Sequence, residues 1–84
     1  MTMTSANTND EFRTADLSLT AALCVSGFVV QEMERVSPTR SVFIFNDSIE
    51  LQETVNGYWR GDLQVEPQAF FNQLKTLKAR IYER

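Results

Sequence analysis

The sequence of 84 residues contains no histidine and one cysteine, Cys24. A disulfide framework needs paired cysteines, and structural zinc sites are built from cysteine and histidine, so both classes of small domain are excluded. The most common general base of nucleophilic catalysis is missing as well, because histidine usually takes that role. We therefore expect no metal, no cofactor and no enzymatic activity, and a structural Cys24 buried on a helix.

Long hydrophobic runs are also missing. The densest apolar stretch, residues 42–45, is far shorter than the ~20 residues of a membrane-spanning helix. No basic start followed by an apolar stretch and a cleavage site is present, which predicts a cytoplasmic protein that does not contact a membrane. Apolar residues make up 43% of the chain. This composition is typical of a globular domain, and the length allows one domain.

The beginning of the chain differs in composition from the rest. Residues 1–11 contain few large apolar side chains and predict a flexible N-terminal arm, followed by a single domain over residues 12–84. From Thr14 to Ser26 apolar residues recur at intervals of three and four, which predicts a mostly buried helix. Gly27 is the residue type that ends a helix in the left-handed conformation.

Two strand-like segments follow this helix. Residues 28–36 and residues 41–46 are rich in β-branched and aromatic side chains, and Pro38 lies in the turn between them. This arrangement predicts an antiparallel hairpin.

The rest of the chain predicts two further helices. Asp47 and Gly61 have the positions of an N-cap and a helix-ending glycine, while Glu66 and Pro67 are typical of the start of the next helix. The last helix has the clearest apolar periodicity in the sequence, at Phe70, Phe71, Leu74, Leu77 and Ile81. The expected fold is α+β, in the order α-β-β-α-α, with helices covering an antiparallel hairpin.

The second strand predicts a homodimer. Val42 and Ile44 face one side of it and Phe43 and Phe45 the other, so both faces need cover. A two-stranded sheet is only marginally stable alone, and an unprotected apolar edge attracts another strand. Two copies paired edge to edge would form a four-stranded sheet. We expect these four residues in the interface together with Trp59, since it and its neighbouring tyrosine cannot both face the core.

Two functions other than catalysis are suggested by this surface and by the charge. The absence of a catalytic constellation favours a small interaction or regulatory protein that binds a protein partner through its dimer surface. The net charge of −3 does not favour nucleic acid overall. The end of the chain is nevertheless basic, and it gives a nucleic-acid-binding alternative through Lys75, Lys78, Arg80 and Arg84. Cations there also suit the negative end of a helix dipole, which needs no ligand.

A third function places a small anion or a nucleotide at the start of the first helix. Helix N-termini present free amide groups to anions, and Arg13 and Thr14 would lie beside them. The alternative is a capping threonine and a solvated arginine.

Short motifs resemble those of a known family. Phe12-Arg13-Thr14-x-Asp16-Leu17 at a helix start and Tyr58-Trp59-Arg60-Gly61 at a helix end are similar to segments of a family of small bacterial, archaeal and phage proteins. The resemblance extends over about residues 12–82. That family is a domain of unknown function, so the resemblance implies the element order and a microbial or phage origin. It carries over no catalytic residue.

Overall fold

The computed structural model describes residues 10–82, which form three strands and three helices. In chain order they are β1 (Glu11–Thr14), α1 (Leu17–Val25), β2 (Val30–Ser37), β3 (Arg40–Asn46), α2 (Ile49–Arg60) and α3 (Pro67–Tyr82). The protein is a small α+β domain, as predicted, but in the order β-α-β-β-α-α. The predicted order α-β-β-α-α is wrong because it lacks β1. Residues 1–9 of the predicted arm lie outside the described residues.

β1 is the element that the sequence pattern does not predict. In this short strand Phe12 and Thr14 alternate with Glu11 and Arg13. β1 pairs antiparallel with β3, and Phe12 lies opposite Phe45. β2 pairs with the other edge of β3, so the strand order is β1-β3-β2. The most apolar strand therefore lies in the centre of the sheet, with one edge paired to β2 and the other paired to β1 over residues 43–46.

The presence of β1 moves the start of the first helix. The N-cap of α1 is Asp16, whose side chain accepts a hydrogen bond from the Leu19 amide at 3.0 Å. The predicted start at Thr14 is wrong, because residues 11–14 join the sheet before the helix begins. Gly27 follows the helix with a φ of 106°, as predicted, in a region that favours glycine.

The two later helices begin and end close to the predicted positions. Ser48, not Asp47, is the N-cap of α2, and its hydroxyl accepts a hydrogen bond from the Leu51 amide at 3.0 Å. Gly61 ends α2 in the left-handed conformation, with a φ of 82°, as predicted. The Glu66 carboxylate accepts hydrogen bonds from two amides in the first turn of α3, which confirms its predicted capping role.

The core lies between one face of the sheet and the helices. α1 is the central helix and packs against both α2 and α3. Phe43 and Phe45 point toward it from β3 and are each 1% exposed. The other buried members of this core are Leu19, Ala21, Leu23, Leu51, Val55 and Leu77.

The opposite face of the sheet is shielded by an ion pair. Arg13 of β1 and Glu34 of β2 are joined by a salt bridge, although β3 lies between their strands. Ile44 pairs with Arg13 in register and lies beneath this bridge, with 2% of its surface exposed. Both faces of β3 are thus covered within one chain.

This arrangement removes the structural argument for the predicted interface. Phe43, Ile44 and Phe45 are buried inside the chain, and Val42 is half-buried. The sheet of one chain has three strands, and the predicted four-stranded sheet would need an edge of β3 that β1 already occupies. Trp59 is the member of the predicted set that lies on the surface. The homodimer itself stays a prediction.

Candidate binding surfaces

Cys24 lies half-buried on α1, where it borders α3. Burial raises the pKa of its thiol, and the positive charge of Arg80 acts in the opposite direction. The net effect is a raised pKa, so the thiol is protonated at neutral pH. Among residues 10–82, no group of three or more cysteine and carboxylate side chains is placed to hold a metal ion. No helix of this part of the chain has the length and apolar character to cross a membrane.

Arg13 and Thr14 do not lie at a helix N-terminus. Both belong to β1, where Arg13 forms salt bridges with Glu34 and, at 3.6 Å, with Glu11. The hydrogen bond to Glu34 is the main cause that raises the pKa of the Arg13 guanidinium. The Thr14 hydroxyl accepts a hydrogen bond from the Asp16 amide at 3.0 Å. The predicted geometry of this anion site is wrong, and anion binding by these two residues stays an untested prediction.

The predicted basic cluster is divided by the geometry of α3. Lys75 and Lys78 lie on one side of the helix, whereas Arg80 is about 160° around the axis from Lys78. Arg80 lies close to Cys24 on α1. Arg84 lies outside the described residues. The structure therefore brings together two of the four predicted cations and separates the third.

Aromatic side chains flank the two lysines that remain together. Phe71 and Tyr82 share the side of α3 that carries Lys75 and Lys78, and they are 63% and 81% exposed. No acidic residue occurs between residues 67 and 82. We call Phe71, Lys75, Lys78 and Tyr82 the lysine face.

A second aromatic group lies where α2 and α3 both approach α1. Trp59 is 63% exposed and stacks edge-to-face on Tyr58, with ring centroids 5.0 Å apart. Phe71 stacks on Phe70 in the same manner, at 6.2 Å. Each exposed ring therefore rests on a half-buried one. The apolar periodicity of the last helix marks Phe70 and Phe71 as core residues, and this interpretation is wrong for Phe71, whereas Trp59 was expected at an interface and is exposed.

The two half-buried rings line one small apolar cavity. Its volume is about 240 Å³, and its walls are Ala22, Tyr58, Leu63, Val65 and Phe70. The connector after α2 supplies two of these residues, since the amides of Asp62 and Leu63 both bond to the Gly57 carbonyl and turn the chain. We call the cavity, its walls and the two exposed rings Trp59 and Phe71 the aromatic pocket.

A second, larger cavity shares no lining residue with the aromatic pocket. It has a volume of about 800 Å³ and lies between the β2–β3 turn, the start of α1 and the end of α3. Its polar lining includes Arg35, Arg40 and Ser41, with apolar walls from Leu17, Phe43 and other residues. We call it the arginine cavity. It could not be predicted from the sequence, because its residues come from four separate elements and no local pattern connects them.

A known protein-family model matches this chain over almost its whole length. The model of a domain of unknown function, DUF5659, covers residues 9–83. The chain belongs to this family. The resemblance to a family of unknown function is therefore confirmed, while the short motifs and the microbial or phage origin stay predictions. No curated protein and no solved structure shows significant similarity to this DUF5659 domain.

Proposed function

We propose that this DUF5659 protein is a non-catalytic interaction protein that acts as a homodimer joined through the aromatic pocket. The observation that supports the proposal is the position of Trp59 and Phe71, each 63% exposed and each stacked on a ring that lines an apolar cavity. Large aromatic side chains are enriched in the centres of protein interfaces and supply much of the binding energy there.

The aromatic pocket combines an exposed ring, Trp59, with a cavity lined by Tyr58, the ring on which Trp59 stacks. A two-fold dimer places the same patch of both copies in contact. Trp59 of one copy then fills the cavity between Tyr58 and Phe70 of the other, and the reverse contact forms at the same time. Burying an aromatic side chain stabilises a complex by about 1.5–3 kcal/mol, and the symmetry doubles this contribution. A second copy of the chain is therefore the partner that complements this surface.

The sheet is a less suitable surface for the same purpose. Its face opposite the helices carries Glu11, Glu32 and Glu34, and Arg13 is already paired there with two of these acids. Two such faces would bring like charges together and would require the removal of water from the carboxylates. The homodimer is therefore proposed at the aromatic pocket, and not at the strand edge that the sequence suggested.

Light scattering coupled to size-exclusion chromatography at micromolar concentrations tests this proposal. The wild-type protein is expected at about twice its chain mass of 9.6 kDa. Trp59→Ala and Phe71→Ala are each expected to weaken the dimer by at least tenfold, since hot-spot truncations cost about 2 kcal/mol or more. Ile49→Ala is the matched control, because Ile49 is also a large exposed side chain on α2 but lies outside the pocket.

The sole tryptophan gives an independent signal. Trp59 fluorescence is expected to shift to shorter wavelength as the protein concentration rises, because dimerisation removes the indole from water. A wild-type mass of 9.6 kDa throughout would contradict the homodimer. A dimer unaffected by both alanine variants would contradict the proposed location.

The lysine face supports a second candidate function, the binding of single-stranded nucleic acid. Lys75 and Lys78 lie between two exposed rings on a helix without acids, and such proteins combine positive charge with aromatic rings on which bases stack. Among residues 10–82, the separation of Arg80 leaves two of the predicted cations together, and for this reason protein binding is preferred. Retention on a heparin column that is lost on charge reversal of the lysines tests this candidate.

A further inference from the structure

We propose that the outer edge of β2, together with a cavity between β2 and α3, binds an extended segment of a partner protein in which basic side chains alternate with apolar ones. The segment joins the sheet as a fourth strand, with its backbone hydrogen-bonded to β2. The cavity shares no lining residue with the aromatic pocket, so this proposal does not depend on the proposed homodimer.

The outer edge of β2 has room for another strand. β2 is eight residues long, whereas β1 at the opposite edge of the sheet has four. The inner edge of β2 pairs with β3, and among residues 10–82 no strand pairs with its outer edge. Such an edge presents a row of backbone N–H and C=O groups that a further strand can bond. Two large apolar side chains, Val29 and Val36, are exposed near its two ends.

A cavity of about 320 Å³ lies beside the Val30 end of this edge, against α3. Its apolar walls are Phe28, Val29, Val30 and Leu77. Val30 is in register with Phe45, so it lies on the core face of the sheet. Side chains of an added strand that point to this same face reach the cavity. Arg80 also lines the cavity and repels a basic side chain there, so apolar side chains fit this face.

The other face of the same edge is acidic. Glu32 is in register with Ile44 and Glu34 with Val42, which places both carboxylates on the side away from the helices. Glu34 is paired with Arg13, whereas Glu32 is exposed and forms no salt bridge with another residue of 10–82. Opposite charges across two paired strands stabilise them, and like charges destabilise them. Basic side chains on this face of the segment therefore complement β2.

A second copy of β2 is a poorer partner for this edge. A two-fold axis that pairs β2 antiparallel with itself places residues of the same face opposite each other. An axis at Glu34 brings Glu34 against its own counterpart, and an axis at Met33 brings Glu32 against Glu34. Both central registers therefore place carboxylates opposite carboxylates, which favours a basic partner of different sequence.

Two irregularities in β2 limit which strands can pair with it. Its register with β3 shifts between Val30 and Glu32 and again between Arg35 and Ser37. Bulges and charged side chains on an edge strand discourage indiscriminate pairing. The regular stretch that remains, residues 32–35, carries the two acids. Backbone hydrogen bonds along so short a stretch give weak binding, and the side chains of the segment decide whether it binds.

Titration of short labelled peptides with the full chain, followed by fluorescence anisotropy, tests the proposal. A peptide of alternating lysine and valine is expected to bind at least about ten times more tightly than one of alternating glutamate and valine. It is also expected to bind more tightly than a peptide of alternating lysine and serine, which keeps the charge but does not fill the cavity. No binding of the lysine–valine peptide, or equal binding of all three, would overturn the proposal.

Methylation of the peptide amides tests whether the peptide binds as a strand. Successive amides of a strand point to opposite edges, so methyl groups on the valine nitrogens and on the lysine nitrogens block different edges. One of the two methylated lysine–valine peptides is expected to lose binding and the other to keep it, because one edge of the peptide faces β2. Loss in both peptides, or in neither, would contradict strand addition.

Substitutions locate the binding on the protein. Glu32→Lys is expected to reduce the affinity for the lysine–valine peptide at least about tenfold. Glu53→Lys makes the same change in charge at an exposed acid of α2 and is expected to leave the affinity nearly unchanged. Equal losses in these two variants would indicate a response to net charge alone and would overturn the site. Trp59→Ala is expected to keep full affinity, so a failure of the homodimer and a failure of this site are separate results.

Discussion

Cys24 on α1 is the only thiol in the chain, and its pKa depends on its own burial and on Arg80 of the neighbouring helix α3. Burial of Cys24 on α1 raises its pKa, and Arg80 on α3 lowers it by a smaller amount. A nucleophilic cysteine needs the thiolate form, which a raised pKa disfavours. The sequence predicted a buried structural cysteine from its position in the apolar stripe. The side chain is half-buried because it lies at the margin of α1, beside the polar side of α3.

Removal of the Arg80 charge is expected to make Cys24 less reactive. In Arg80→Gln the pKa of the thiol rises further, since burial then acts without the opposing cation. The rate of alkylation by iodoacetamide, measured against pH, is expected to have its midpoint at a higher pH than in the wild type. Lys75→Gln, on another side of α3, is the control and leaves the midpoint unchanged. A midpoint that falls in Arg80→Gln would contradict this account.

At the scale of elements, β1 determines how the other strands are protected. It is a short strand, yet it pairs with the edge of β3 that would otherwise be open and places Phe12 against Phe45, with ring centroids 6.5 Å apart. It also places Arg13 on the face of the sheet opposite the helices, where the ion pair with Glu34 covers Ile44. An apolar central strand between two more polar edge strands resists pairing with other chains.

The helices, their ends and the hairpin were largely predictable from the sequence, because periodicity and capping residues are local signals. Gly61 and Glu66 are examples, and both act as the pattern indicates. β1 was not predictable in this way, since four residues are too few to show a period and its stability comes from a strand about thirty residues away. The same reason applies to the arginine cavity, whose residues Arg35, Ser41 and Ile81 meet only in the folded chain.

Truncation of Phe12 tests the contribution of β1 to stability. Phe12→Ala is expected to reduce the free energy of unfolding by about 2–3 kcal/mol, somewhat less than for a fully buried phenylalanine. Urea denaturation followed by circular dichroism measures this loss. Glu11→Ala, in the same strand but with an exposed side chain, is expected to change stability by less than about 0.5 kcal/mol. Equal stability of Phe12→Ala and the wild type would show that β1 is dispensable.

At the scale of the whole molecule, charge is divided between α3 and the rest of the domain. Residues 10–66 contain ten acids and four arginines, a net charge of −6, whereas α3 contains three cations and no acid. The molecule extends 41 Å along its longest axis, and charges separated by more than about 8 Å are largely screened at physiological salt. The lysine face therefore keeps a local positive potential in a protein that is acidic overall.

This division of charge leads to a test that separates the two proposed functions. If the lysine face binds single-stranded DNA, the wild type is retained on heparin at low salt, and log K falls with log salt concentration with a slope of about −1.4 for two phosphate contacts. Lys78→Glu abolishes this retention, whereas Arg80→Glu, with the same change in net charge on the other side of α3, largely preserves it. Equal losses in the two variants would indicate a response to net charge alone. A wild type that is not retained at low salt would remove the nucleic-acid candidate, and the dimer at the aromatic pocket does not require retention, since neither Lys75 nor Lys78 lines that cavity.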